Sequence, residues 1–243
     1  MLKVIFFGSS TEFSPAVLEK LAPHCVAVVT TEDKPVGRHL VMTANPVKVL
    51  SEKLNLPVFD NIHDFLKQDF PDCIGIVAAY GKILGPKTLS KLNNQIYGIH
   101  PSLLPKYRGP SPLQQQILDG ITETGVTIFK IDLGEDTGPI IASAKDIIRS
   151  DDTKITLGNR LFGLGADLIL NSLPLSGTTF NQIPIPQNSN EATYTKKFTR
   201  QDGFVNYLEI ENSKLKIEKM RRAFFPWPGV WTIDPEGKRI KVI

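Results

Sequence analysis

Leu2-Lys3-Val4-Ile5-Phe6-Phe7-Gly8-Ser9-Ser10-Thr11 is the stretch that decides the fold. Leu2–Phe7 is an apolar run broken only by Lys3, the pattern of a central parallel strand buried on both faces. The Gly-Ser-Ser-Thr turn then feeds a helix over Pro15–Leu21. Outward from this unit, strands are predicted at Cys25–Thr30, Pro57–Phe59, Asp72–Tyr80, Ile96–His100 and Gly125–Ile131, with a more exposed one at Ile140–Ile148. Helices are predicted at Pro46–Leu54, Ile62–Lys67, Pro112–Leu118 and Thr153–Leu173. This alternation reads as an α/β fold with a Rossmann-like, mostly parallel sheet. Thr31–Pro46 reads as a long loop, a length usual for functional or disordered connections.

Residues 174–192 have linker composition, and the chain divides into a main domain (1–180), a linker (181–192) and a C-terminal segment (193–243). In that segment a basic helix is expected over Asn212–Phe224, then the Pro226-Trp227-Pro228 turn and two strands, Val230–Ile233 and Arg239–Val242. Phe224, Phe225, Trp227 and Trp231 form an aromatic group too large to leave exposed, so it should pack on the main domain.

The 243 residues, 41% hydrophobic and 22% charged, suit a soluble globular chain of one large domain with a small partner. No run reaches the ~20 residues of a membrane span, and the first apolar run is too short for a signal peptide. Cys25 and Cys73 are the only cysteines, so no disulfide framework is indicated, and a cytoplasmic protein is expected. The net charge of +3 conceals a basic tail: residues 196–243 hold 11 basic against 6 acidic side chains. That suits a nucleic-acid partner or a solvated basic face equally well.

His100 stands at the carboxyl end of a predicted strand, where open α/β sheets collect ligands, beside the rigid Pro101-Ser102-Leu103-Leu104-Pro105 turn. Asp136 lies in Leu133-Gly134-Glu135-Asp136-Thr137-Gly138-Pro139, a loop rich in turn formers. A histidine and an aspartate meeting in a cleft would form a proton-handling pair. Lys34, Arg38 and His39 in the long loop could reach a phosphate backbone. The scattered His24, His39, His63 and His100 have no metal-ligand spacing, so no metal is expected. Neither a dinucleotide-binding fingerprint nor a G-x-S-x-G elbow is present.

Several motifs together resemble the methionyl-tRNA formyltransferases. They are Asp33-Lys34-Pro35-Val36-Gly37-Arg38, Ala79-Tyr80-Gly81-Lys82-Ile83-Leu84, His100-Pro101-Ser102-Leu103-Leu104-Pro105, Tyr107-Arg108-Gly109, Glu135-Asp136-Thr137-Gly138, Ala192–Lys197 and Arg222–Pro228. The resemblance spans nearly the whole chain. It implies a formyltransferase fold with a C-terminal OB-type barrel; a monomer without membrane attachment is expected. It also implies formyl transfer from 10-formyltetrahydrofolate to the amino group of initiator methionyl-tRNA. By the same resemblance, His100 and Asp136 handle protons, and Ser102, Leu103, Leu104, Pro105, Tyr80 and Gly81 bind folate. Arg38 and Lys34 would contact tRNA.

The chain departs from that pattern at three places. Gly98 stands where the family carries a carbonyl-polarising Asn, and loss of such a donor typically lowers rate by ~10²–10³. About fifty residues follow the linker, too few for a five-stranded barrel, so a short and incomplete OB-like segment is expected. His39-Leu40-Val41 replace family lysines. These departures motivate two alternatives: a formyltransferase acting on a small amine such as an amino sugar nucleotide, and a weakly active folate- or RNA-binding homologue.

Overall fold

The computed structural model describes residues 3–36, 40–172 and 183–242. The first half comprises β1 (Lys3–Phe7), α1 (Ser14–Leu21), β2 (Cys25–Val29), β3 (Lys34–Val36), β4 (Val41–Thr43), α2 (Pro46–Lys53), β5 (Val58–Phe59) and α3 (Ile62–Lys67). There follow β6 (Cys73–Ala78), α4 (Pro86–Lys91), β7 (Ile96–His100), α5 (Pro112–Asp119), β8 (Glu123–Lys130), β9 (Ile140–Ile147) and α6 (Lys154–Ser172). The C-terminal segment adds α7 (Lys214–Ala223), β10 (Trp231–Ile233) and β11 (Arg239–Lys241).

Seven strands form one sheet in the order β5-β2-β1-β6-β7-β8-β9. The pairs from β5 to β7 are parallel, and β7–β8 and β8–β9 are antiparallel. The sheet is therefore mostly parallel, as the alternating pattern implied. Alternate residues of β1 enter separate cores: Val4 and Phe6 pack with α1 and α6, while Ile5 and Phe7 pack with Phe65 of α3 and Leu89 of α4. That is the period-two division expected of a strand covered on both faces. Asn45 caps α2 by accepting from the Val47 N–H, with Pro46 in the first turn.

Three expectations change. Within Thr31–Pro46, β3 and β4 pair as an antiparallel hairpin rather than leaving an irregular loop, in keeping with the β-branched Val36, Val41 and Thr43. The helix α4, one and a half turns long with Pro86 in its first turn, is too short to show apolar periodicity and was not expected. The aromatic group of the tail divides. Phe224 is buried with its ring edge-on to Phe198 at 5.1 Å, whereas Phe225 and Trp227 are half exposed. Trp231 stacks within the segment, 4.9 Å from Phe204 and beneath the Arg239 guanidinium. Among the described residues the tail forms a two-stranded sheet, β10–β11, and no closed barrel. Its helix α7 joins the α1/α6 core through Ile217, Met220 and Ala223. No helix among the described residues is long and apolar enough to cross a membrane.

Because Phe224 anchors the tail, Phe224→Ala is expected to destabilise the protein by about 3–5 kcal/mol, the range for emptying a buried aromatic site. A melting temperature within two degrees of the parent (roughly the shift from 1 kcal/mol at this size) would show otherwise. Asp202 makes a second test. The Lys196 ammonium, then the Thr199 N–H, hold its carboxyl down to about 2. A carboxyl depressed in the folded state stabilises above its unfolded value near 3.8, and that contribution is lost as pH falls towards 2. Trp231 donates to the carbonyl of Arg200 in the adjoining turn. Its fluorescence should therefore change across that window, and Asp202→Asn should flatten the response.

Candidate active site

A cleft of about 420 Å³ opens beside the end of β7. Tyr80, Gly81, Gly98, His100, Phe129 and Asp136 all line it. The N–H groups of Ser9 and Ser10, in the turn after β1, donate to the Ala79 carbonyl, and the Gly81 N–H donates to Ser9 Oγ. These bonds hold the turn that follows β6 against the turn that follows β1. Burial pushes the Tyr80 phenol up to about 12, so it stays an O–H donor through the neutral range.

His100 is buried, and its Nε2 lies 2.8 Å from the carbonyl of Tyr107. A carbonyl can only accept, so this bond assigns the proton to Nε2. Nδ1 then lies 3.5 Å from Asp136 Oδ2. The same carboxylate oxygen accepts from the Gly109 N–H at 2.8 Å. Gly109 adopts φ +103°, and a Cβ there would stand 2.9 Å from the Thr195 carbonyl oxygen; both requirements select glycine. A proton carried at Nδ1 would face Asp136, whose carboxylate stands where the imidazolium would be stabilised.

The residues singled out in the sequence separate spatially. His100, Asp136, Gly98, Tyr80 and Gly81 share the cleft, whereas Leu103, Leu104 and Pro105 line a different cavity of about 530 Å³. Ser102 is fully buried, with its Oγ donating to the Lys106 carbonyl and its own carbonyl accepting from Thr127. Lys34 is exposed on β3, away from the cleft lining, and Arg38 lies outside the described residues. Among the described residues no group of three or more His, Cys, Asp or Glu is placed to hold a metal ion.

Phe129, Gln187 and the Glu12–Lys154 pair also belong to this site or its walls, and sequence reading overlooked them. Phe129 lies directly across the strand pair from Gly98. Its ring meets His100 edge-on at 6.2 Å, and a Cβ on residue 98 would come within 2.6 Å of it. The space a larger side chain would need at 98 is thus taken by a buried phenyl ring.

A family model for formyl transferases matches residues 2–173. The chain belongs to the formyl transferase family. It is 40% identical over its whole length to the methionyl-tRNA formyltransferase of Roseiflexus castenholzii, covering 79% of that protein. Identity to the enzyme of the same name from Dictyoglomus thermophilum is 39%, over 99% of this chain and 78% of the other. Among solved structures, the sugar 3-N-formyltransferase WlaRD, crystallised in the presence of dTDP and 5-N-formyltetrahydrofolate, superposes with a TM-score of 0.69. That match has 20% identity and covers all of this chain and 86% of the other, which supports the shared fold.

The packing of Phe129 on Gly98 predicts that Gly98→Asn alone overpacks the site and lowers stability by about 1–3 kcal/mol. The second change Phe129→Ala should relieve the clash, so the double variant should carry less than the summed cost of the single ones in thermal melts. Strict additivity would show that the two positions do not compete for space. A side chain at 98 would have to displace the outer ends of both Phe129 and Ile131.

Proposed function

We propose that the chain transfers a formyl group from 10-formyltetrahydrofolate to the amino group of methionyl-tRNA. The observation that carries the chemistry is the His100–Asp136 pair at the open end of β7, with Nδ1 of the ring turned towards the carboxylate. The acceptor comes from the whole-length similarity to methionyl-tRNA formyltransferases. The cleft suits a flat heteroaromatic donor, having apolar walls from Tyr80, Phe129 and Ile131 and a polar edge at His100 and Asp136.

The acceptor amine attacks the formyl carbon, forming the new C–N bond. His100 Nδ1 takes the proton the amine releases, while Asp136 Oδ2 stabilises the cationic ring. As the bond between the formyl carbon and N10 of the donor breaks, His100 returns that proton to N10, leaving tetrahydrofolate and the formylated amine. Gly98 offers no side-chain donor to the carbonyl oxygen, so turnover is expected to fall below that of a site with an amide there. Ser102–Pro105 act in this reading by bracing the His100 loop beside the donor.

We further propose residues 1–180 as the catalytic domain, 181–192 as the linker and 193–243 as an accessory segment. The tRNA would approach over Lys34 and Arg38. A monomer fits a cleft whose His100 and Asp136 come from the same chain, and a cytoplasmic location fits a tRNA substrate.

In an assay with 10-formyltetrahydrofolate, charged initiator tRNA should be formylated, and an amino sugar nucleotide should not. His100→Ala and Asp136→Ala are expected to lower kcat by about 10²–10⁴, the range for losing a general acid–base group. Arg38→Ala should raise KM for tRNA and leave that for the donor unchanged. Formylation confined to the amino sugar would overturn the proposed acceptor.

A further inference from the structure

We infer that Gln187, in the stretch composed like a linker, is a positioning residue for the His100–Asp136 pair. The need for one arises from the direction of β8. It runs antiparallel to β7, so its last residue, Lys130, lies opposite Tyr97 rather than His100. Three residues of strand, roughly 10 Å, separate those two levels. The loop carrying Asp136 must therefore fold back along the sheet to bring its carboxylate to His100. Asp136 does so in the left-handed region, at φ +54°, which aspartate tolerates better than most non-glycine residues, and its loop is then held by hydrogen bonds to its carbonyls.

Gln187 supplies that constraint. Its Nε2 donates to the carbonyls of Asp136 (2.8 Å) and Gly138 (2.7 Å), using both amide hydrogens on the loop that must be held. Its Oε1 accepts from Nε (3.1 Å) and Nη2 (2.8 Å) of Arg108, using both lone pairs. Arg108 can only donate and the two carbonyls can only accept, so the amide has one permitted orientation. Arg108 is itself almost fully buried, and its Nη1 donates to the Tyr194 hydroxyl at 3.0 Å. It follows Tyr107, whose carbonyl binds His100, and precedes Gly109, whose N–H binds Asp136.

One amide thus joins the loop beneath the histidine to the loop of the aspartate. The segment carrying Gln187 is pinned at both ends. Ile185 exchanges two backbone bonds with Ile140 at the start of β9, and Thr193 and Thr195 bond the backbone of Arg108. Residue 187 lies beyond the stretch matched by the family model.

The substitution Gln187→Glu separates positioning from the mere satisfaction of Arg108. A carboxylate pairs better with the buried guanidinium but has no hydrogen to give the carbonyls of Asp136 and Gly138, and it repels them. Two readouts are needed, because one of them rests on the formyl transfer proposed above. In steady-state formylation, Gln187→Glu is expected to lower kcat 10- to 100-fold with both KM values within twofold of the parent. In long-range ¹H–¹⁵N spectra, the ring nitrogens of His100 should shift, while those in an Asn190→Ala control should not.

Gln187→Asn, which keeps the amide on a shorter arm, should give intermediate values and serves if the glutamate variant does not fold. Parental kcat and unmoved His100 signals in the folded variant would overturn the inference. A fall in kcat/KM carried wholly by KM would do the same. If the parent formylates no acceptor, the spectra alone decide, so failure of the proposed reaction and failure of this inference remain distinguishable.

Discussion

The reversal of strand direction between β7 and β8 is the constraint on which the site depends. In an all-parallel sheet, successive strand ends deliver their loops to one rim, and ligand-binding residues gather there without further help. Here β7 brings His100 to that rim, but β8 returns the other way and ends level with Tyr97. The aspartate loop reaches the histidine only by folding back, and each peculiarity nearby serves that path. Asp136 takes a left-handed conformation, Gly109 opens its backbone to φ +103°, and Gly138 passes so close to Lys130 that a Cβ would strike its carbonyl.

Holding such a path requires polar groups inside the protein, which is favourable only when every donor and acceptor is matched. The Arg108–Gln187 pair meets that condition, with both amide hydrogens and both lone pairs of Gln187 engaged. The guanidinium has no carboxylate partner among the described residues; it lies against the Tyr194 ring and bonds its hydroxyl. Arg108 thereby bonds neutral partners and forms no ion pair among the described residues, and the Lys154 ammonium in the cleft wall is paired with Glu12.

The cleft also shows how its neighbours frame one glycine. Read along the chain, Gly98 is only a missing side chain. In the sheet it faces Phe129, whose ring, with the end of Ile131, takes the space of a Cβ and rests edge-on against His100. Position 98 thus contributes an apolar wall beside His100 rather than a polar side chain. A larger side chain at 98 would consequently involve Phe129 and Ile131 together.

Much of the architecture was legible in the linear chain because it depends on short-range patterns. The apolar run at β1, the proline and asparagine signals at α2, and the spacing of the following strands specify the alternation and hence a mostly parallel sheet. The family motifs placed His100, Asp136, Tyr80 and Gly81, and all four line one cleft. The helix α4 and the β3–β4 hairpin escaped, since six and three residues carry too little periodicity to read. What tertiary structure alone decided is which residues touch. The register that sets Phe129 opposite Gly98, the cavity that receives Leu103–Pro105, and the reach of Gln187 to a loop 51 positions away are long-range pairings. A polar glutamine among prolines and asparagines looks the same whether water or a buried arginine receives it, because hydrogen-bond partners are chosen in space and not along the chain.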